Sequence, residues 1–463
     1  MASFDAATLH ATLAALPPVG RLWIGLSGGL DSTVLLHAAA SLRGQLPGAL
    51  HALHLDHGLH PHAPRWAEHC RQVCGDLDVP LTVHRLVVPR RPGASLEASA
   101  RAARYQAAAE VIGPGEALVT AHHRDDQAET LLLALLRGSG LHGLAAMPAA
   151  APLGSGWLLR PLLDQDRTAL LAYARQHRLA WIDDPSNADL RHDRNRLRQQ
   201  VLPMLRLRWP GAAATIARSA AHCAEAAALI DASVAALLPS LAGSRPHTLA
   251  VGALRALAET DPARARALLR HWLRGQGHRP PPRGRLAQII AQVLPARADA
   301  APLVTWTGCE VRRYRDDLFV LAPLPPAPAI RLAWDGRGSL ALPAGLGRLR
   351  LTGGTAGPVG AATAARTIRL EVWFGHSGLR CRRPGAPGQR LKHCFQQAGV
   401  PPWLRPYVPL LLAAGREDPA LIAIAGVADC AAVAPGLIWE DHPWTRFGLF
   451  QVDRGAEPCA ADD

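Results

Sequence analysis

Between about residues 20 and 180, short apolar runs alternate with segments whose apolar residues recur at helical spacing. The runs Leu22–Leu26, Ala49–Leu55, Leu81–Val87 and Ala117–Ala121 have the length and composition of strands. Ser32–Leu42, Arg65–Leu77, Ser95–Val111 and Asp126–Arg137 follow them with helical periodicity. Strands that are apolar on both faces need helices to cover both, so this alternation predicts an α/β domain with a doubly wound parallel sheet. Such sheets bind ligands beyond the carboxyl ends of their strands. The search for function therefore narrows to the short polar stretches that follow each strand.

The first of these is Ser27-Gly28-Gly29-Leu30-Asp31-Ser32, placed between a strand and a helix. Two glycines let the backbone turn tightly and present successive N–H groups to an anion, and the helix start adds further donors. The hydroxyls of Ser27 and Ser32 can reach a phosphate, and Asp31 can hold Mg²⁺ against it. An ordinary turn with Asp31 or Ser32 as N-cap needs fewer of these residues. After the second strand, His54-Leu55-Asp56-His57-Gly58-Leu59 sets polar groups where a nucleotide would lie, and His57 is expected to touch it.

Arg101 and Arg104 share the third helix, and Glu97 with Arg101 makes an ordinary i,i+4 pair. The fourth strand runs into His122-His123-Arg124-Asp125-Asp126-Gln127-Ala128-Glu129-Thr130. Asp126 and Glu129 fit a capping box, but capping needs neither two histidines nor a second aspartate. Set three apart on one helical face, Asp126 and Glu129 can grip a cation together.

Composition removes several alternatives. Lys392 is the only lysine, so neither a GK[ST] phosphate loop nor a Schiff-base lysine in the N-terminal half is available. A formal net charge of +13 favours a polyanionic partner. The cations bunch: Arg191, Arg194, Arg196, Arg198, Arg206 and Arg208; then seven arginines from Arg264 to Arg285; then Arg380, Arg382, Arg383, Arg390, Lys392 and Arg405. Clusters so far apart suit a long ligand. The eight cysteines contain no CxxC pair, no apolar run is long enough to span a bilayer, and no signal pattern opens the chain. Reduced thiols, a cytoplasmic location and no structural metal are expected.

Residues 206–325 are Ala/Leu/Arg-rich and expected to be helical, Pro323–Pro328 reads as a linker, and 326–463 is expected to be a small α+β domain. The strand-like runs Leu349–Thr352 and Leu421–Ala425 and a helix near Leu391–Ala398 fall in this last part. No internal repeat is evident.

The SGGLDS string resembles the pyrophosphatase loop (PP-loop) of enzymes that split ATP into AMP and pyrophosphate while adenylating an oxygen. Taken in order, SGGLDS, HLDHGL, Arg101-x-x-Arg104-Tyr105, HHRDDQAET, Arg160-Pro161-Leu162-Leu163, Trp181-Ile182-Asp183-Asp184-Pro185-Ser186-Asn187 and Arg194-Asn195-Arg196-Leu197-Arg198 resemble the tRNA(Ile)-lysidine synthetase family. Gly388-Gln389-Arg390-Leu391-Lys392 and Pro401-Pro402-Trp403-Leu404-Arg405 resemble its C-terminal domain. The resemblance is dense over 20–205 and good over 375–430; the tail after Val427 departs from it, and 295–370 carries little that aligns.

The resemblance implies a PP-loop catalytic domain over 1–205, a helical tRNA-binding domain over 206–325 and a C-terminal tRNA-recognition domain over 326–463. It implies a ligase that adenylates the wobble cytidine of a tRNA(Ile) with a CAU anticodon and then attaches free L-lysine to C2. ATP and Mg²⁺ would be held by Ser27, Gly28, Gly29, Leu30, Asp31, Ser32 and His57. Arg101 would steady the adenylate, Asp126 and Glu129 would bind the lysine ammonium, and Arg194, Arg196, Arg198, Arg390, Lys392 and Arg405 would hold the tRNA. The base that takes the amine proton stays open among His122, His123 and Glu129, and a homodimer stays open too. Three rivals compete: a tRNA 2-thiolase, for which paired cysteines are missing; a small-molecule PP-loop synthetase, which leaves the arginine clusters idle; and a tRNA-binding protein without catalysis.

Overall fold

In the computed structural model the described residues are 4–46, 48–56, 58, 62–88, 96–297, 300–352, 370–375, 378–382, 387–413, 420–431 and 436–450. The chain divides into two compact units, Met1–Leu229 and Ile230–Asp463.

The strands of the first unit are β1 (Arg21–Gly25), β2 (Ala49–Asp56), β3 (Leu81–Arg85), β4 (Glu116–Val119), β5 (Ala150–Leu153) and β6 (Gly156–Leu159). They form one sheet in the order β3-β2-β1-β4-β6-β5, parallel except for β5, which pairs antiparallel with β6. The expected doubly wound parallel sheet is present, with strand limits shifted by one or two residues. Its helices are α1 (Ala6–Ala14), α2 (Leu30–Ser41), α3 (Ala63–Asp76), α4 (Leu96–Val111), α5 (Arg124–Leu136), α6 (Leu141–Leu144) and α7 (Arg167–Gln176), then α8 (Asp193–Arg196) and α9 (Leu202–Arg208); α10 (Ala212–Ala235) begins in this unit and ends in the second. The order of strands reverses between β1 and β4, which makes the carboxyl ends of these two the switch point.

Helix α2 shows why the site is rigid. Val34, Leu35, Leu36, Ala38 and Ala39 are all fully buried, so nearly every face of this helix is in the core. Full burial of one such Val or Leu side chain contributes about 1.5–3 kcal/mol. A helix that is apolar all round has no surface on which to slide, and the loop at its N-terminus is held accordingly.

The second unit continues with α11 (Val251–Thr260), α12 (Pro262–Gly275) and α13 (Arg283–Gln288). These pack on a four-stranded sheet of β7 (Leu249–Ala250), β8 (Leu303–Trp306), β9 (Cys309–Tyr314) and β10 (Asp317–Leu321), ordered β7-β10-β9-β8. The helical stretch thus closes on strands that its Ala/Leu/Arg composition did not announce. Beyond it, β11 (Arg331–Trp334), β12 (Ser339–Ala341), β13 (Arg348–Thr352), β14 (Leu370–Trp373), β15 (Arg380–Cys381), β16 (Gln389–Arg390), β17 (Leu410–Ala413), β18 (Ala420–Ile424), β19 (Ala428–Asp429) and β20 (Gly436–Glu440) surround helix α14 (Leu391–Gln397). Their core is rich in aromatic rings, among them Trp334, Trp373, Phe395, Tyr407, Trp439, Trp444 and Phe447.

Two expectations need correction. The proline-rich stretch is irregular but not free: the Tyr407 hydroxyl donates to the Pro325 carbonyl, and Leu324 packs on the aromatic core. The thiols are not all reduced either, because Cys381 and Cys430 form a disulfide with Cα atoms 4.9 Å apart. The two lie 49 positions apart, so only strand packing brings them together. Cys70, Cys74, Cys223, Cys309 and Cys394 form no disulfide. No helix of the described residues is long and apolar enough to cross a membrane.

Candidate active site

The loop after β1 is built largely from its own hydrogen bonds. Gly28 has φ +81°, a left-handed conformation that favours glycine, and a Cβ there would sit 3.3 Å from Cys70 Sγ. Ser32 Oγ donates to the Gly29 carbonyl at 3.0 Å and lies 3.0 Å from Ser27 Oγ, while the Ser27 N–H donates to Ser32 Oγ at 3.2 Å. Gly29 caps α2, so Leu30, Asp31 and Ser32 form its first turn. Beneath the loop, the buried His54 ring places Nδ1 2.8 Å from the Leu26 carbonyl. Ile182 N–H donates to the Gly28 carbonyl at 2.9 Å, which fastens the Trp181–Asn187 segment to the loop. His57 lies outside the described residues.

Helix α5 begins beside this loop, after β4. Its N-cap is His123 rather than Asp126: the His123 N–H donates to Asp126 Oδ2 at 3.0 Å, which makes Asp126 the third helical residue. The Asp126–Glu129 capping box expected from spacing is therefore displaced by one turn, and Glu129 is left for other work. His123 Nε2 stands 3.6 Å from Asp31 Oδ2 and 3.4 Å from Asp126 Oδ2, bridging the loop to the helix. Burial alone would lower the basicity of His123, but the carboxylates of Asp31 and Asp126 beside its ring more than offset it, so its pKa is raised.

Glu129 is fully buried and carries two arginines. Arg194 Nε donates to Oε2 at 2.7 Å; Arg198 donates from Nε to Oε1 at 2.6 Å and from its terminal nitrogen to Oε2 at 3.0 Å. Arg198 also donates to Asp126 Oδ1 at 2.9 Å. Burial would raise the Asp126 pKa, yet His123, Arg194, His122 and Arg198 together lower it. Arg194 and Arg198 are one helical turn apart, where α8 passes into a π-helical turn, Leu197–Val201. Two of the five arginines assigned to tRNA, Arg194 and Arg198, thus sit on the two carboxylates assigned to lysine. Arg196, between them, is exposed. Asn195 Nδ2 donates to the carbonyls of Ser186 and Asp189, both at 2.9 Å, which joins the Trp181–Asn187 and Arg194–Arg198 elements physically.

His122 is pushed down to about 3 by burial, with Arg160, Arg101 and Arg194 also opposing its charge against Asp126. Its Nδ1 shares a 2.8 Å hydrogen bond with the Thr120 hydroxyl. Arg101 lies over the Tyr105 ring at 5.1 Å, on α4, with its field reaching His122.

Several residues at the site had no individual role assigned from sequence. Gln127 is a brace, exchanging hydrogen bonds of 2.8 and 2.9 Å with the Met147 backbone. Arg206 ties α9 to Asp125 at 2.6 Å. Arg167 reaches within 3.9 Å of Asp31 Oδ1. Long-range pairs of this kind leave no local pattern, although the surplus of acids at the start of α5 is a signal that cations must be near.

For Mg²⁺ the test is Asp31. Its Oδ1 is buried without a hydrogen-bond partner, an oxygen donor of the kind that this hard cation takes. No group of three or more metal-ligating side chains occurs among the described residues, so phosphate and water oxygens would complete any coordination shell.

In the second unit, Lys392 and Arg405 line one pocket of about 180 Å³ with Gly375, Leu391, Phe395 and Leu410. Arg390 is exposed at the edge, paired in register with Arg380 across the β15–β16 ribbon.

Three family models match the chain: a PP-loop domain over 5–205, a TilS substrate binding domain over 253–319 and a TilS substrate C-terminal domain over 370–436. The tRNA(Ile)-lysidine synthase of Alkalilimnicola ehrlichii is 46% identical, covering 94% of this chain and 97% of the relative. That of Methylococcus capsulatus is 42% identical, over 88% of this chain and 93% of the relative. Among solved structures, the U34-tRNA thiolase NcsA from Methanococcus maripaludis is 16% identical over 48% of this chain and 77% of that one, with a TM-score of 0.40. Identity of this extent, over nearly the whole length of both chains, together with a PP-loop at the sheet's switch point, means that the chain belongs to the tRNA(Ile)-lysidine synthase family of PP-loop ligases.

Proposed function

We propose that this protein ligates free L-lysine to C2 of the wobble cytidine of a tRNA(Ile) with a CAU anticodon. In the first step the C2 oxygen attacks the α-phosphorus of ATP and pyrophosphate leaves. In the second the lysine Nε attacks C2, the C2–O bond breaks, AMP leaves and the amine loses a proton. The observation that carries this reading is the bridge from Asp31 through His123 to Asp126, which joins the nucleotide loop to an acidic helix at one switch point.

Ser27, Gly28, Gly29, Leu30 and Ser32 are assigned to the ATP phosphates, Asp31 to Mg²⁺, and Arg101 to the charge of the adenylate. His57 is assigned to the nucleotide from the sequence motif. Mg²⁺, when bound, neutralises charge on the phosphates. The lysine ammonium is assigned to Asp126 and Glu129. Because Arg194 and Arg198 already occupy these carboxylates, seating the ammonium requires a guanidinium to withdraw. Only the neutral amine attacks, so one of His122, His123 and Glu129 must take its proton, and the burial that pushes His122 down to about 3 weakens it for that role. Arg196, Arg390, Lys392 and Arg405, with whichever arginine is released, are assigned to tRNA phosphates. We divide the chain functionally at 205 and 325 and place the reaction in the cytoplasm.

The test is release of labelled pyrophosphate from ATP·Mg²⁺ with lysine and either a CAU-anticodon tRNA(Ile) or a methionine tRNA. Release specific to tRNA(Ile), labelled lysine entering the RNA, and loss of both in Asp31→Ala are expected. Release without lysine incorporation moves the second step to another nucleophile; no release with any RNA overturns the proposal.

A further inference from the structure

Helix α9 carries a surface that the reaction above leaves unused. Met204, Leu207 and Trp209 are 67%, 87% and 58% exposed. Arg208 is exposed beside them, its guanidinium 5.7 Å from the centre of the Trp209 ring. The backbone beneath the indole is held in place: Trp209 N–H donates to the Leu205 carbonyl at 2.8 Å, and the Trp209 carbonyl accepts from Ala212 N–H at 2.9 Å. Among the described residues no other aromatic ring packs against it. An outward-facing ring on a fixed backbone loses little freedom when something stacks on it.

Its position relative to the site is also set. Arg206, three residues earlier, is hydrogen-bonded to Asp125 in the first turn of α5. From Arg198, which holds Glu129, eleven residues lead through the π-helical turn and α9 to Trp209. At the α-helical rise of 1.5 Å per residue that is at most about 16 Å, or about four to five nucleotides at 3.4 Å per stacked base.

Resting on the proposed function, we infer that Trp209, with Arg208, is a stacking platform for an unpaired base of the RNA that flanks the reacting cytidine. Charge selects the occupant. Of the six arginines from residue 191 to 209, Arg191, Arg194, Arg198 and Arg206 are paired with carboxylates, which leaves the exposed Arg196 and Arg208 as the cations offered to a partner. A second copy of this chain would bring the same charges and be repelled, whereas single-stranded RNA supplies both phosphates and π-faces. Base–aromatic stacking tolerates any base, so the platform adds affinity and register without discriminating sequence. Cation–π contact with Arg208 strengthens the ring's hold on a base while the guanidinium faces the adjoining phosphate.

The experiment uses the full chain and a CAU-anticodon tRNA with 2-aminopurine placed at single loop positions, read by fluorescence beside the pyrophosphate-release assay. In the wild type one loop position is quenched on binding. Trp209→Ala raises KM for RNA about tenfold, leaves KM for ATP and the thermal midpoint unchanged, and abolishes the quench; Trp209→Phe restores most of both. Arg208→Gln lowers the slope of log affinity against log salt by about one. Unchanged RNA KM and quench in Trp209→Ala overturn the platform, as does a parallel rise in KM for ATP or a lowered thermal midpoint, which marks a structural role. Loss of self-association in Trp209→Ala with RNA KM intact overturns it in favour of a second copy. If the wild type releases no pyrophosphate with RNA, the enzymatic reading fails, while the quench still reports whether RNA stacks there.

Discussion

The α5–α8 region of the first unit and the α14 pocket of the second both gather cations, but they hold them in opposite ways. Arg194 and Arg198 are neutralised by buried carboxylates and directed inward, so their charge is part of the frame. Lys392 and Arg405 rim a pocket with an apolar floor and no carboxylate among its described lining residues. Their frame comes instead from an aromatic core and the Cys381–Cys430 staple. One residue class therefore does two kinds of physical work. Removing a carboxylate in the first region strands a buried charge, whereas removing the exposed Lys392 in the second leaves the fold alone and takes away only what it offers outside.

The sharpest way to break this contrast is Glu129→Gln. It keeps shape but leaves two guanidinium groups on a neutral amide, and breaking a buried ion pair on one side costs about 3–5 kcal/mol. Urea unfolding of the first unit should show a loss of that order with activity abolished; a loss under 1 kcal/mol would dissolve the distinction. In the second unit, Cys381→Ser opens a loop whose ends lie 49 residues apart, worth about 4 kcal/mol on chain-entropy grounds. Non-reducing and reducing denaturation should differ by up to that amount in the wild type and not at all in the variant.

A smaller effect follows from pH. His122 has a folded value of about 3, below its ordinary 6.5, so the unfolded chain takes up the proton first. Its contribution is complete above about pH 6.5 and is lost as pH falls from there towards 3. Between pH 7 and 5 the loss is about 2 kcal/mol, and His122→Asn should flatten that limb of the stability curve. His123 works in the opposite sense: its raised value contributes below the unfolded pKa, and the contribution is lost as pH rises through the folded one. The least perturbing change is Lys392→Gln. It should leave the thermal midpoint within about 1 °C, since exposed substitutions rarely exceed 0.5 kcal/mol, and reduce the salt dependence of RNA affinity by about one charge. An unchanged salt slope would remove Lys392 from the RNA surface.

Local chemistry is what made much of the molecule legible. Strand runs such as Ala49–Leu55 are bounded by turn residues, and the observed strand Ala49–Asp56 differs by one position. The Gly28-Gly29 loop needs only its own residues and the start of α2 to form, so its place in the chain announces it. The meander β8–β9–β10 was missed because its pairings, Val304 with Val311 and Phe319 with Arg312, lie in short segments of mixed composition. Helix α5 was placed correctly, but its cap was not, because spacing cannot tell a carboxylate that caps from one that is buried.

By itself, then, the sequence determined the alternation of strands and helices up to α5, the phosphate loop, the acidic helix start and the family, all of which depend on neighbours within a few residues. Only the tertiary structure decided which charges meet. Glu129 with Arg194 and Arg198, Asp31 with His123, Asp125 with Arg206 and Cys381 with Cys430 are encounters across 49 to 92 positions. Their partners are selected by packing and by the cost of leaving a buried charge alone, and neither acts along the chain.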